Sequence, residues 1–144
     1  MKLDELKKRI AKETDAIGYY LYDIEYKKKQ GQYVLSVLID HKNGITVDDC
    51  ETVSERLNPL LDEWDPFPGA YNFEVTSSGA ERELRNETEI KNAMGKHVHV
   101  ETYEGKHEGQ LIAFDEDLLK IKTDRDMLHI RYYDVTMIRL AIKL

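Results

Sequence analysis

The sequence predicts an α+β protein made of two small domains, and three observations support this prediction. Residues 1–84 contain two amphipathic helical patterns and three strand-like patterns, whereas residues 85–144 contain a short helix followed by five short strand-like runs. The change occurs within YNFEVTSSGAERELRN, residues 71–86, where a period-two strand pattern stops in small polar residues. A chain of 144 residues is long enough for two small cores. We therefore expect an N-terminal α/β domain over 1–84 and a C-terminal β-barrel domain over 85–144.

The first helix and the hairpin after it are visible in the spacing of apolar residues. Helical spacings of three, four and seven link Leu3, Leu6, Ile10 and Ile17. Gly18 is placed to end this helix. The next stretch predicts a β-hairpin with its turn at Gln30 and Gly31. We expect one face of its first strand to be shared by alternating residues: Tyr20, Tyr22, Ile24 and Tyr26.

The second helix has a recognisable start. Thr46 is placed as the N-cap, and Asp49 three residues later can return a hydrogen bond to the Thr46 backbone, which is the pattern of a capping box. Pro59 lacks an N–H and clashes with the preceding turn of a helix, so we expect a kink or an end near Asn58. A loop with two prolines then leads to the third strand, at residues 71–76.

The C-terminal domain predicts a short helix and a small antiparallel barrel. Asn86, with Glu89 three residues later, predicts the start of the helix, and Gly95 predicts its close. Five short strand-like runs follow: HVHVETY, HEGQLIAF, LLKIKT, MLHIRYY and MIRLAIKL. Because closure into a barrel removes the exposed edges of a flat sheet, we expect a five-stranded β-barrel.

Composition indicates a soluble globular protein. Hydrophobic residues make up 41% and charged residues 34% of the chain, and no apolar run is long enough to cross a bilayer. The N-terminus is charged throughout and lacks an apolar segment like that of a secretory signal, so we expect a cytoplasmic protein that does not bind membranes. The single cysteine, Cys50, excludes an internal disulfide framework.

The charge distribution favours basic partners. The formal net charge is -7, and residues 1–84 hold 11 Lys and Arg against 17 Asp and Glu. Residues 85–144 hold 10 against 11 and are nearly neutral. This balance disfavours binding to nucleic acid through a broad basic surface, which needs clustered Lys and Arg. It favours encounter with basic proteins, ribosomal proteins among them.

Three segments resemble one known family. IGYYLYDIEY, GITVDDCETVSERLNPLLD and YNFEVTSSGAEREL, in this order and followed by a small barrel, are similar to the RimP ribosome maturation factor family. In the third segment, family members read Ser-Ser-Pro-Gly and then Asp-Arg-Pro-Leu. This chain has Ser78 and Glu83 in place of the two prolines and Glu81 in place of the Asp. The loss of both prolines predicts a less rigid joint than the family norm.

The resemblance implies a fold and a function. It implies two helices on a three-stranded sheet, followed by a barrel similar to the Sm-like (SH3-like) fold. It also implies a non-enzymatic factor, acting without a cofactor, for assembly of the small (30S) ribosomal subunit. Such a factor binds the immature particle and helps a basic protein of that subunit, the twelfth, to be incorporated. We expect the chain to act as a monomer.

Three groups of residues are the candidate partner-binding sites. The joint between the domains supplies Ser77, Ser78, Gly79, Glu81 and Arg82. The start of the second helix supplies Asp48 and Asp49, which helix capping also explains. The hairpin tip supplies Lys27, Lys28 and Lys29, the best local candidates for a contact with ribosomal RNA. The structural alternatives are a plain turn between the domains, a solvated charge pair, and an ordinary strand with aromatic residues on its buried face.

Two other functions remain as alternatives. A small hydrolase or phosphotransferase would use Ser77, Glu81 and Arg82, but the sequence has no nucleophile elbow and no partnered His and Asp, so we predict no enzyme. A general RNA-binding barrel needs a basic face on residues 97–144, where charges nearly balance. A metal site at His97 and His99 is formally possible, but we expect exposed barrel histidines and no metal.

Overall fold

The computed structural model describes residues 1–142. The last two residues of the predicted fifth barrel strand, 143–144, lie outside the described residues. The described chain is α+β, as predicted, with three α-helices and two sheets. It divides into two compact units, Met1–Ser78 and Gly79–Leu144. This division falls after Ser78, whereas the boundary read from the sequence falls after Leu84.

The first unit contains two helices and a three-stranded sheet, as the sequence predicts. Its elements in chain order are α1 (Leu3–Ala16), β1 (Tyr20–Lys29), β2 (Gln32–Asp40), α2 (Val47–Trp64) and β3 (Asn72–Ser77). The sheet order is β1-β2-β3, with β1 antiparallel and β3 parallel to β2. A parallel pair needs a crossover connection, and α2 supplies it.

Local signals explain the first helix and the hairpin turn. Leu6 and Ile10 of α1 are fully buried, and Gly18 has φ 89° just beyond the helix. Gln30 and Gly31 both have positive φ, at 50° and 81°, which is the conformation of a type I′ turn. The turn of the hairpin therefore lies where the sequence places it.

The set of β1 side chains that point into the core differs from the expectation. A bulge between Leu21 and Asp23 shifts the register against β2, and the buried residues are Leu21 and Ile24. Tyr20 and Tyr22 are only partly buried. A bulge inserts one residue and so reverses the alternation on one side of it. The expectation of one continuous face is therefore wrong.

The second helix confirms the capping box and corrects the prediction at Pro59. Asp49 N donates to Thr46 Oγ1 and Thr46 N donates to Asp49 Oδ2, while the helix continues through Pro59 to Trp64. An interior proline costs about 3 kcal/mol. Burial of Leu57 and Leu61 on either side contributes about 1.5–3 kcal/mol each, so the helix does not end near Asn58.

The second unit contains a short helix and a five-stranded antiparallel sheet. Its elements are α3 (Glu87–Asn92), β4 (His97–Thr102), β5 (Gly105–Asp115), β6 (Leu118–Lys122), β7 (Met127–Arg131), a 3-10 turn (Tyr132–Asp134) and β8 (Val135–Leu140). The sheet order is β7-β6-β5-β4-β8, so the described strands form an open ladder with β7 and β8 at its ends. The five predicted strands are present, while closure into a barrel stays a prediction.

Each unit has its own apolar core. The first core joins the two helices to the sheet through buried side chains: Leu6, Ile10, Leu21, Ile24, Leu35, Val37, Ile39, Val53, Leu57 and Leu61. The second core is formed by the helix α3 and all but one of the strands: Leu84, Ile90, Ala93, Val98, Val100, Leu111, Phe114, Leu119, Ile121, Ile138 and Leu140. Two separate cores are what a chain of this length can form in place of a single larger one.

Candidate partner-binding surfaces

The segment that joins the two units is fixed at both ends by backbone hydrogen bonds. Ser77 ends β3, and the N–H of Ser78 donates to Ile39 O over 3.0 Å. Leu84 N donates to Ile138 O over 2.8 Å, and Leu140 N donates to Arg82 O over 2.9 Å. Residues 82–84 therefore lie antiparallel along the outer edge of β8 as a short additional strand.

Glu81 and Arg82, the two charged residues of the joint, both make local contacts. Arg82 Nη1 donates to Gly79 O over 3.0 Å, and Gly79 has φ 100°, which only glycine adopts without strain. Glu81 Oε1 lies 4.0 Å from Arg139 Nη1 of β8. The side chain of Glu81 is 63% exposed and that of Arg139 is 30% exposed, so solvent screens this ion pair. The pair is worth under about 1 kcal/mol and can be exchanged for a contact with a partner.

The two serines of the joint are placed differently. Ser77 is exposed, whereas Ser78 is half-buried and its Oγ has no hydrogen-bond partner among residues 1–142. An activated serine nucleophile needs a general base within hydrogen-bond reach. In the described part of the chain, no histidine or carboxylate makes such a bond with the hydroxyl of Ser78.

The two aspartates at the start of α2 have different surroundings. Asp49 Oδ2 accepts the bonds of the cap, and Asp49 Oδ1 accepts a 2.5 Å hydrogen bond from the Tyr19 hydroxyl. Asp48 is exposed, and no hydrogen bond or ion pair of its carboxylate is found among residues 1–142. Asp48 is thus the carboxylate that remains available to a basic partner.

The hydrogen bond between Tyr19 and Asp49 alters the titration of both groups. It lowers the pKa of the Asp49 carboxyl below its ordinary value, with a further contribution from the backbone N–H of Thr46. It also raises the pKa of the Tyr19 hydroxyl, because deprotonation would bring two negative charges together. The bond to Asp49 therefore links Tyr19, the residue directly before β1, to the start of α2.

The three lysines of the hairpin tip do not form one positive spot. Lys27 Nζ lies 3.4 Å from Glu25 Oε2, and Lys29 Nζ lies 3.6 Å from Glu74 Oε1. Lys28 lies over the ring of Tyr33, 5.7 Å from its centroid. Successive residues of a strand point to opposite faces, so Lys28 is separated from its two neighbours. Each lysine is exposed and can still contact a phosphate.

A cluster on β4 and β5 was missed by sequence reasoning. His99 Nε2 lies 2.8 Å from Glu101 Oε2 and its Nδ1 lies 3.1 Å from Glu108 Oε1. A neutral imidazole has one N–H, so only the protonated ring donates to both carboxylates. The hydrogen bond from His99 lowers the pKa of both Glu101 and Glu108. The side chains of His97 and His99 are only 21% and 12% exposed, so the expectation of exposed histidines is wrong for this pair.

The described residues lack two further features. Within residues 1–142, no group of three or more His, Cys, Asp or Glu side chains is arranged to hold a metal ion. None of the helices in the same range combines the length and the apolar character that crossing a bilayer requires.

Comparison with known families decides the relationship of the chain. A family model described as the RimP N-terminal domain matches residues 9–81. The chain belongs to the RimP family. RimP proteins are ribosome maturation factors, and the match includes both aspartates of α2, the hairpin tip and the joint as far as Glu81. Arg82 and every strand of the second sheet lie beyond the matched range.

Proposed function

We propose that this protein is a non-enzymatic factor for assembly of the small (30S) ribosomal subunit. The match of the RimP N-terminal domain over residues 9–81 is the observation that carries this proposal. The factor binds the immature particle and a basic protein of the small subunit, the twelfth, and it needs no cofactor. It acts as a cytoplasmic monomer, and its second sheet curls as in an Sm-like barrel while the outer edge of β7 stays open in the described part of the chain.

Charge supports a basic protein partner. The chain carries a formal net charge of -7, and most of the acidic excess lies in its first 84 residues. Such a field accelerates encounter with basic proteins and slows encounter with phosphate. Asp48 is the acidic contact that we propose, since the oxygens of Asp49 already accept bonds from Tyr19 and Thr46.

The hairpin tip and the joint are the proposed contacts with the immature particle. Lys27, Lys28 and Lys29 are exposed at one end of the three-stranded sheet, where a phosphate of ribosomal RNA can replace the weak bonds to Glu25 and Glu74. Arg82 is the proposed contact of the joint, since a guanidinium group can bind a phosphate or a carboxylate.

Sedimentation of cell extract tests the proposal. A tagged chain is run on a gradient beside a variant with alanine at Lys27, Lys28 and Lys29 and beside Arg82→Ala. A matched control removes the same charge from the second sheet, with alanine at Lys106, Lys120 and Lys122. We expect the wild type and the control to comigrate with immature small subunits and the first triple variant to lose comigration at moderate salt. A wild type that stays at the top of the gradient at low salt would refute the proposal.

A further inference from the structure

The two edge strands of the second sheet, β7 and β8, differ in whether another segment covers their outer edge. Residues 82–84 cover the outer edge of β8 through the bonds of Arg82 O and Leu84 N. The outer edge of β7 has no neighbouring strand among residues 1–142. An uncovered edge presents unpaired N–H and C=O groups and is a template for an additional strand.

The pairing of β6 with β7 identifies which backbone groups face outward. Thr123 N donates to Asp126 O and Tyr132 N donates to Asp117 O, so the even-numbered residues from 126 to 132 direct their backbone groups toward β6. In an antiparallel pair this direction alternates with every residue. The N–H and C=O groups of Met127, His129 and Arg131 therefore point away from the sheet.

A groove runs beside this open edge. It has a volume of about 370 Å³ and lies between Leu128–Arg131 of β7 and the turn that joins β4 to β5. Two strands separate β7 from β4 in the ladder, so the sheet must curl for both to line one groove. An extended chain of about five residues matches the length of β7.

The lining of the groove favours cationic side chains. Glu104 and Asp134 place carboxylates on it, and Tyr103, which is 82% exposed, presents an open ring to a Lys or Arg side chain. The one lining cation among the described residues, Arg131, lies over the ring of Tyr133 at 6.0 Å. The two remaining titratable side chains on the lining are His107 and His129. Two carboxylates and no lysine make this a poor site for a nucleic-acid phosphate.

We propose that this groove binds an extended segment rich in Lys and Arg from a partner protein, which adds to β7 as an extra strand. Backbone bonds to Met127, His129 and Arg131 supply the affinity, and the carboxylates and the Tyr103 ring select basic side chains. The proposal deepens the proposed function and rests on it for the choice of a basic ribosomal protein as the source of the segment.

An NMR titration with a defined probe tests the groove directly. The probe is the capped peptide Lys-Val-Lys-Val-Lys-Val-Lys, and Glu-Val-Glu-Val-Glu-Val-Glu is the control. We expect the lysine peptide to shift the amide signals of Met127, His129 and Arg131 more than those of Leu128 and Ile130. An absence of shifts along β7 at millimolar peptide, or equal shifts with both peptides, would overturn the proposal.

A matched pair of variants separates strand addition from folding. His129→Pro removes one outward N–H and no bond to β6, whereas His129→Thr keeps that N–H. We expect His129→Pro to weaken binding of the lysine peptide at least tenfold and His129→Thr to change it less than threefold. Equal affinities for the two variants, with the other amide signals of the sheet unchanged, would count against strand addition.

A second pair of variants tests the charge. Glu104→Gln and Asp134→Asn together should weaken binding at least fivefold and reduce its dependence on salt, because each removes one attractive charge. Lys120→Gln on β6 serves as a control and should have no such effect. Unchanged affinity in the double variant would overturn the choice of a basic occupant.

Further measurements separate this inference from the proposed function. If the peptide shifts β7 but the chain does not comigrate with small subunits, the groove stands and the proposed function fails. If the chain comigrates and the peptide does not shift β7, the groove inference fails alone. Tighter binding of oligouridylate than of the lysine peptide along β7 would assign the groove to RNA. A dimer by sedimentation equilibrium that His129→Pro converts to a monomer would assign it to a second copy of this chain.

Discussion

Gly109 lies on β5, and atoms of the neighbouring strand β6 fill the space that a side chain at this position would occupy. A Cβ added at Gly109 would lie 2.5 Å from Lys122 O, 2.8 Å from Ile121 Cγ2 and 2.9 Å from Lys122 C. Two of these three atoms belong to the backbone, so a rotamer change cannot relieve the contact. Gly109→Ala must therefore move β6 away from β5 or strain both strands.

The loss of stability caused by Gly109→Ala follows from this geometry. Overpacking a well-packed interior costs about 1–3 kcal/mol, and the backbone contact favours the upper half of that range. For a unit of this size, each kcal/mol lowers the midpoint of thermal unfolding by about 4–8 °C. We expect Gly109→Ala to lower the midpoint of the second unit by about 8–24 °C.

Hydrogen exchange gives the assay and a control variant. Amides of β5 and β6 report the second unit, and they should lose protection in Gly109→Ala. Gly69 has open space around its added Cβ and no positive φ, so Gly69→Ala should be neutral or stabilising by up to about 1 kcal/mol. Unchanged protection of β5 and β6 in Gly109→Ala would refute the close approach of the two strands.

Three more substitutions test other parts of the packing. Glu89→Gln should destabilise the second unit by about 3 kcal/mol, measured by urea unfolding, because the buried Glu89 carboxylate accepts bonds from the backbone N–H and guanidinium of Arg85. Asp49 has a lowered pKa, so its bonds to Tyr19 and the cap stabilise the fold above pH about 4 and are lost as the pH falls through the folded pKa. Acid unfolding of Asp49→Asn should lack this component of the wild-type profile. Pro59→Ala restores a helical N–H at an exposed position and should stabilise α2 by about 1–3 kcal/mol in thermal unfolding.

Features that depend on neighbours along the chain could be predicted from the sequence. The capping box of Thr46 and Asp49 and the N-cap at Asn86 lie where the sequence places them. Each depends on residues three positions apart, and so does the periodicity of α1. The hairpin turn at Gln30 and Gly31 depends on two adjacent residues with positive φ.

Features that depend on distant partners could not be predicted in the same way. The bulge in β1 and the continuation of α2 through Pro59 depend on which side chains pack in the core. Residues 82–84 look like a charged linker, and their place in the sheet follows from the bonds to β8. His99 lies beside Glu108 because β4 and β5 pair in one particular register. The local sequence pattern does not specify this register.

The candidate site shows the same division. A run of three lysines suggests one positive patch, yet strand alternation alone already separates Lys28 from Lys27 and Lys29. The preference for Asp48 over Asp49 as a contact could not be read from the chain, because it depends on Tyr19, 30 residues away from Asp49. The open edge of β7 is a property of the whole sheet order and has no local signal.

The two proline positions of the joint can be separated by their backbone bonds. Ser78 N donates to Ile39 O, so Ser78→Pro would lose a bond worth about 0.5–1.5 kcal/mol while gaining about 0.4–1 kcal/mol from a stiffer unfolded chain. Glu83 faces Arg139 in a pair whose bonds run through Arg82 O and Leu84 N, so a proline at 83 breaks none of the bonds to β8.

Glu83→Pro should therefore be more stable than Ser78→Pro by about 1 kcal/mol in chemical unfolding. Ser78 has a backbone hydrogen bond to Ile39 of β2 in place of the stiffness of proline, whereas the bonds of residues 82–84 to β8 run through Arg82 O and Leu84 N. On this reasoning the joint is held at Ser78 and again at Arg82, and the freedom left by the missing prolines is confined to residues 79–81. A Ser78→Pro variant more stable than Glu83→Pro would show that the bond to Ile39 contributes little.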